Sequence, residues 1–143
     1  MLLPDVNVLV AAHRPSHPHH ESASVFLNEA INGTEAVVLP DLVATGFVRI
    51  VTNSRIFSTP SSIDEAFGFL RAMESAPAWS AMPRAAVDLH TFESACKESG
   101  ATGALVTDAY LAAIAIAFGI RIASFDRDFR KFDQLAVVEL AAE

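Results

Sequence analysis

Short apolar runs alternate along this chain with segments whose apolar residues recur at helical spacing. Leu2-Leu3 opens the chain as a short strand, and Val6 to Ala12 predicts a short helix followed by a polar loop from His13 to Pro18. Glu21 to Ile31 carries Ala23, Phe26, Leu27, Ala30 and Ile31 at helix spacing and stops at Asn32-Gly33. Ala36 to Leu39 reads as a strand ended by Pro40, Leu42 to Val51 as a helix, and Asn53 to Thr59 as a connection. Ser62-Ile63-Asp64-Glu65 has the form of a capping box and opens a helix to about Ser75. Ala78 to Ala81 predicts a strand, Arg84 to Glu98 a helix closed by Gly100, and Leu105 to Phe118 a helix closed by Gly119. Arg121 to Ser124 and Val137-Val138 complete the strands.

Strands that are apolar on both sides, separated by helices, predict an α/β fold with a parallel sheet covered on both faces. At 143 residues, with no linker, composition break or tandem repeat, residues 1–143 are expected to form one domain. Hydrophobic residues make up 52 % of the chain and charged residues 19 %, which excludes a disordered polar protein. The net charge of −7 excludes a strongly basic nucleic-acid binder, so a polyanionic substrate needs a local basic patch or bound cations. The single cysteine, Cys96, falls at helical spacing after Ala85, Leu89 and Phe92 and reads as a packed thiol, in keeping with a reducing cytoplasm. Met1-Leu2-Leu3-Pro4-Asp5 lacks a basic leader region, so no targeting segment is expected. The uncharged stretch from Ala109 to Ile120 falls short of the ~20 residues that span a bilayer, so no membrane is expected either.

Candidate chemistry lies in the aspartates. Asp5, Asp41 and Asp126 each follow a predicted strand, where open α/β sheets bind ligands, although each also suits a helix N-cap. Asp108 is different. It is the only charged side chain between Ala104 and Ile120, in the first turn of a helix that is otherwise apolar all round. Such a helix belongs in the interior, where an ionised carboxylate is costly unless paired or metal-bound. The helix N-terminus offsets about 0.3–1 kcal/mol, up to ~2 kcal/mol at a partly buried site, which does not settle the matter. Thr107 is available to cap the same turn, and Arg49 is an available ion-pair partner. Asp128 adds a second acid two residues after Asp126. If the fold brings Asp5, Asp108 and Asp126 together, their repulsion calls for a cation, and oxygen ligands alone select Mg²⁺ or Mn²⁺.

Four motifs in series carry a family likeness: Asp5-Val6-Asn7-Val8-Leu9, Gly46-Phe47-Val48-Arg49-Ile50-Val51-Thr52-Asn53, Thr107-Asp108-Ala109-Tyr110-Leu111-Ala112-Ala113 and Ser124-Phe125-Asp126-Arg127-Asp128-Phe129. Across nearly the whole chain the sequence resembles PIN-domain proteins of the VapC type, the toxins of type II toxin–antitoxin pairs. The resemblance implies an α/β/α sandwich with a parallel sheet of about five strands. It implies an endoribonuclease dependent on Mg²⁺ or Mn²⁺ that leaves 5′-phosphate and 3′-hydroxyl ends. It also implies a homodimer and a VapB-type antitoxin partner. The family's acidic site maps onto Asp5, Asp108 and Asp126, with Asp128 beside it. Many members carry a Glu about where Gly46 stands here, so a catalytically degenerate scaffold that binds antitoxin or RNA is the alternative. Asp41, five residues earlier, is off that helix face.

Arg127, Arg130 and Lys131 follow Asp126 closely and are candidates to hold RNA phosphates, or else a solvated surface turn. His13, His17, His19 and His20 match no structural zinc spacing and read as a solvated loop and helix start, with an RNA rim contact as a minor option. Trp79 is expected in the core. The segment around Phe47, Ile50 and Val51 and that around Ile63, Phe67, Phe69 and Leu70 form adjacent amphipathic helices, a candidate dimer and antitoxin surface. A phosphate-accepting receiver-like domain also clusters aspartates at strand ends, but it needs a lysine after a late strand, and Lys97 and Lys131 are poorly placed for that.

Overall fold

The computed structural model describes residues 1–82 and 87–141. The chain runs β1 (Leu2–Pro4), α1 (Val6–His13), α2 (His20–Ile31), α3 (Asp41–Val51), α4 (Ile63–Glu74), α5 (Leu89–Ser99), α6 (Leu105–Phe118), β2 (Arg121–Ser124), a 3₁₀ helix (Arg127–Lys131) and β3 (Val137–Glu139).

The sheet is parallel, in the order β1-β2-β3, with Leu3 opposite Ile122 and Ala123 opposite Val138. The expectation of about five strands needs correction, because among the described residues only three form ladders. The segments at Val37 and Trp79 join the other edge of β1 through single parallel bridges, Leu2 to Val37 and Val37 to Trp79. Their backbone bonds are good: Leu2 N–H donates to the Ala36 carbonyl at 2.8 Å, and Val37 N–H to the Ala78 carbonyl at 2.8 Å. They are too short to repeat. Pro40, which has no N–H, directly precedes α3, so pairing stops after Val38.

With those two segments included, the spatial order is Trp79, Val37, β1, β2, β3. The chain leaves β1 toward one edge and later returns to its other side. That reversal opens a crevice at the carboxyl ends of β1 and β2. α1 packs on both α2 and α3, α3 packs on α4, and α5 packs on α6. β2 touches both α1 and α6, and its Ile122, Ala123 and Ser124 are all buried, as a strand covered on both faces requires.

Local signals account for most element ends. Ser62 and Glu65 complete the predicted capping box, each side chain bonded to the other's backbone N–H. α5 begins at Leu89 rather than Arg84, because Asp88 caps it by accepting from Thr91 N–H at 2.7 Å; positions 83–86 of the expected helix lie outside the described residues. Gly119, at φ +64°, ends α6 and lets Ile120 N–H bond the Ala115 carbonyl before the chain enters β2.

The core gathers Leu3, Leu9, Phe47, Val51, Ile122 and Phe129; Cys96 is packed at its margin as expected, and Trp79, expected in the core, lies half-buried at the same margin. Among the described residues no helix is long and apolar enough to cross a membrane. Phe129 anchors the short 3₁₀ helix to this core at 1 % exposure. Phe129→Ala is therefore expected to destabilise the protein by about 3–5 kcal/mol, read from the urea midpoint; a loss under about 1 kcal/mol would contradict the anchoring role.

Candidate functional site

β1 ends at Pro4, and Asp5 N–H donates to the Ala123 carbonyl at 2.9 Å, which continues the β1–β2 pairing to the carboxylate itself. The Asp5 backbone is extended, so its side chain caps α1: Oδ1 accepts from Val6 N–H at 2.8 Å. The predicted cap role is thus real, but it uses one oxygen only. Oδ2 accepts from the Ser124 hydroxyl at 2.8 Å. Burial pushes the Asp5 carboxyl above its ordinary value; the Ser124 and Val6 hydrogen bonds oppose that rise, and Asp126 adds to it.

Ser124 is fully buried. Its single proton goes to Asp5, while its oxygen accepts from Asn7 Nδ2 at 3.0 Å and from Asp126 N–H at 2.9 Å. Asn7 Oδ1 takes Phe125 N–H at 3.3 Å. One hydroxyl therefore ties the end of β1, the first turn of α1 and the end of β2. Asp126 in turn accepts from Asp128 N–H at 2.8 Å and caps the 3₁₀ helix. Asn7 and Ser124 are site residues that the sequence reading passed over. The available signals were a polar residue two positions after Asp5 and a serine closing an apolar strand.

α6 is buried along Ala109 and Leu111 to Ala115, as its apolar composition requires, and Asp108 is half-buried in its first turn. Thr107 does not cap this turn: the helix starts from Ala104 with no side-chain cap, and Thr107 is exposed on the cavity. Burial first, and then the charges of Asp5, Asp126 and Asp128, push the Asp108 carboxyl up to about 6. Arg49 does not neutralise it by direct contact. Among the described residues Arg49 forms no ion pair, although it opens onto the same cavity.

Asp5, Asp108 and Asp126 all line one open cavity of about 940 Å³ at the β1–β2 crevice. Asp128 is beside it, sharing a narrow cleft with Asp108 and paired to Lys131 at 3.6 Å. Among the described residues no three His, Cys, Asp or Glu side chains are drawn close enough to hold a metal ion as they stand. Three like charges, one with both oxygens already hydrogen-bonded, do not draw together unaided. The donor set still suits a hard divalent cation. It is all oxygen, it comes from three separate elements, and the charges of Asp5 and Asp126 raise the cost of ionising Asp108.

Gly46 also lines the cavity; Asp41 is exposed, does not line it and does not cap α3. A Cβ at Gly46 would meet Val6 Cγ2 at 3.0 Å, so a side chain there needs Val6 to give by a few tenths of an ångström. Arg130 is held by both Glu139 oxygens, and neither it nor Arg127 lines the cavity. The histidine run supplies the helix start expected of it, at His20, but it is not the solvated loop expected from its composition. His13 packs edge-on against Phe47 and Phe69 and bonds Ser61 at 2.8 Å, and His19 stacks on Phe125 at 4.9 Å. His17 lines the cavity.

Comparison with known proteins agrees with this geometry. A model of the PIN domain matches residues 2–135. The chain is 38% identical to Ribonuclease VapC31 of Mycobacterium tuberculosis over 132 residues, covering 92% of this chain and 93% of that protein. It is 37% identical to Ribonuclease VapC25 of the same organism, with the same coverage. In three dimensions it matches a chain in the structure of VapBC2 from Rickettsia felis bound to a DNA fragment from their promoter. That match has a TM-score of 0.69 and 15% identity, and covers 98% of both chains.

The raised Asp108 carboxyl predicts a pH signature. The folded chain keeps this proton up to about pH 6, whereas the unfolded chain, at the ordinary value of 3.8, has lost it. The folded state is therefore favoured at low pH and loses that advantage as pH rises through about 6. In chelator-treated protein, Asp108→Asn should raise Tm by a few degrees near pH 8 and by little below the ordinary carboxyl range. Parallel Tm curves for the two proteins would contradict this.

Proposed function

This chain belongs to the PIN-domain family, and we propose that it is a Mg²⁺- or Mn²⁺-dependent endoribonuclease, the toxin of a VapBC-type pair. The observation that carries this reading is the meeting of Asp5, Asp108 and Asp126, from three separate elements, on one cavity at the point where the sheet reverses direction. Relatives named as ribonucleases at 37–38% identity over most of the chain support it.

Asp5, Asp108 and Asp126 would hold the cation, with Asp128 close by. A divalent cation, when bound, supplies an activated water and offsets charge at a scissile phosphate. The protein's own groups do the positioning. Ser124 and Val6 N–H fix the Asp5 carboxylate, Asn7 and Ser124 fix the loop that carries Asp126, and the packed α6 fixes Asp108. Arg127, exposed at the start of the 3₁₀ helix, is a candidate for RNA phosphate outside the cavity; Arg130 must first leave Glu139 to act similarly. On this reading residues 1–143 act as one domain in the cytoplasm, restrained by a VapB-type antitoxin. Ile63 and Phe67, exposed on one face of α4, are the candidate contact for that partner or for a second copy in a homodimer.

The alternative of a degenerate scaffold draws on Gly46, which lines the cavity without contributing a carboxylate. The two readings separate in an RNA cleavage assay. The enzyme reading expects cleavage with Mg²⁺ or Mn²⁺ and none in EDTA. Asp5→Asn and Asp108→Asn should each lose more than the roughly 10–100-fold typical of an outer-shell change, and Ser124→Ala should fall within that range. Cleavage that persists in EDTA or in Asp108→Asn would exclude this mechanism.

Gly46→Glu adds a charged oxygen donor on the cavity wall once Val6 shifts. Calorimetric titration with Mn²⁺ should show tighter binding than the unsubstituted protein. Equal affinities would mean that position 46 does not reach the cation.

A further inference from the structure

The proposed substrate presents a charge problem. A phosphodiester is anionic, and the cavity floor carries three carboxylates. Some group in the same cavity must offer positive charge and hydrogen-bond donors. Neither Arg127 nor Arg130 lines it, and Lys131 is paired with Asp128.

Two cavity residues have the required chemistry. Arg49 lies one helical turn after Gly46 on α3, exposed, and in no ion pair among the described residues. An arginine that stays unpaired beside an acidic floor has its planar set of donors available. His17, on the loop between α1 and α2, supplies a neutral donor. Its Nδ1 accepts from His19 N–H at 3.0 Å, so the proton of the neutral ring sits on Nε2. Burial, followed by the charges of His19 and His20, lowers the His17 pKa and favours that neutral ring. The loop is held in place from both sides. His20 Nδ1 lies 2.8 Å from the Ala11 carbonyl, and His19 stacks on Phe125, next to Asp126.

We infer that Arg49 and His17 form a phosphate subsite in this cavity, with the guanidinium and the Nε2–H holding the RNA backbone beside the carboxylates. The inference rests on the ribonuclease reading above. It makes both residues positioning groups for substrate.

Fluorescence anisotropy of a mixed-sequence single-stranded RNA, in Mg²⁺ near pH 8, tests it with full-length Asp108→Asn protein. Adding Arg49→Ala should weaken binding by about 10-fold or more, as loss of a charge-assisted bond does. It should also reduce the magnitude of the logarithmic salt slope by about 0.7, the share of one single-strand phosphate. Adding His17→Ala should weaken binding by about 3–10-fold with no change in salt slope, because the lost donor is neutral. His17→Gln, whose amide nitrogen can take the place of Nε2–H, should restore part of the loss. RNA binding that is unchanged in both Arg49→Ala and His17→Ala overturns the subsite. If that result comes with Mg²⁺-dependent cleavage of the same RNA by the unsubstituted protein, the ribonuclease reading survives and only the subsite falls. If the unsubstituted protein does not cleave and the Asp108→Asn protein does not bind, both fall together.

Discussion

The Ser124 hydroxyl is the junction on which the site depends. It is buried and fully used, with one bond donated to Asp5 and two accepted from Asn7 and Asp126 N–H. A buried carboxylate such as Asp5 is tolerated only when its oxygens find donors, and Ser124 with Val6 N–H supplies them. The same bonds align the ends of β1 and β2. Loss of this one oxygen atom would leave Asp5 Oδ2, Asn7 Nδ2 and Asp126 N–H each short of a partner in a half-buried setting. An unsatisfied buried group costs about 1–3 kcal/mol, so the hub ties stability to site geometry.

The sheet supplies the second constraint. Parallel strands place their carboxyl ends on one side, and the reversal of strand order at β1–β2 leaves space there that no connection fills. α6, packed on β2, then brings Asp108 to that space. Its burial is what makes Asp108 informative. On an exposed helix a first-turn aspartate is ordinary, whereas here its proton is retained up to about pH 6 because burial and three neighbouring acids oppose its charge. On the proposed reading, a bound cation would relieve repulsion already present in the protein. The cost of that repulsion is met by packing elsewhere, around Phe47, Leu9 and Ile122.

Much of this was legible in the chain itself. Helix positions followed from apolar spacing and from local end signals such as Ser62 with Glu65, and Gly119. Asp108 stood out as a lone charge in an apolar run, and it lines the cavity with Asp5 and Asp126. The edge segments at Val37 and Trp79 looked like strands because they are apolar, yet neither forms a repeating ladder: Val37 bridges once to Leu2 and once to Trp79. Burial leaves the same apolar signature whether or not a ladder repeats. The histidine run misled for a related reason: composition counts polar rings, while stacking on Phe125 and packing on Phe47 and Phe69 bury parts of them.

The sequence by itself determined the α/β class and the order of the helices, and it singled out Asp5, Asp108 and Asp126, because periodicity, caps and an isolated charge are properties of neighbours along the chain. Only the tertiary structure decided which polar groups meet. Asp5 and Ser124 are 119 positions apart, and their 2.8 Å bond depends on β1 and β2 being adjacent and in register. The placement of Arg49 and His17 on the same cavity, and the exclusion of Asp41 from it, depend on how α3 and the loop after α1 pack. No local pattern carries that information, since it is set by the strand order and by the faces the helices bury.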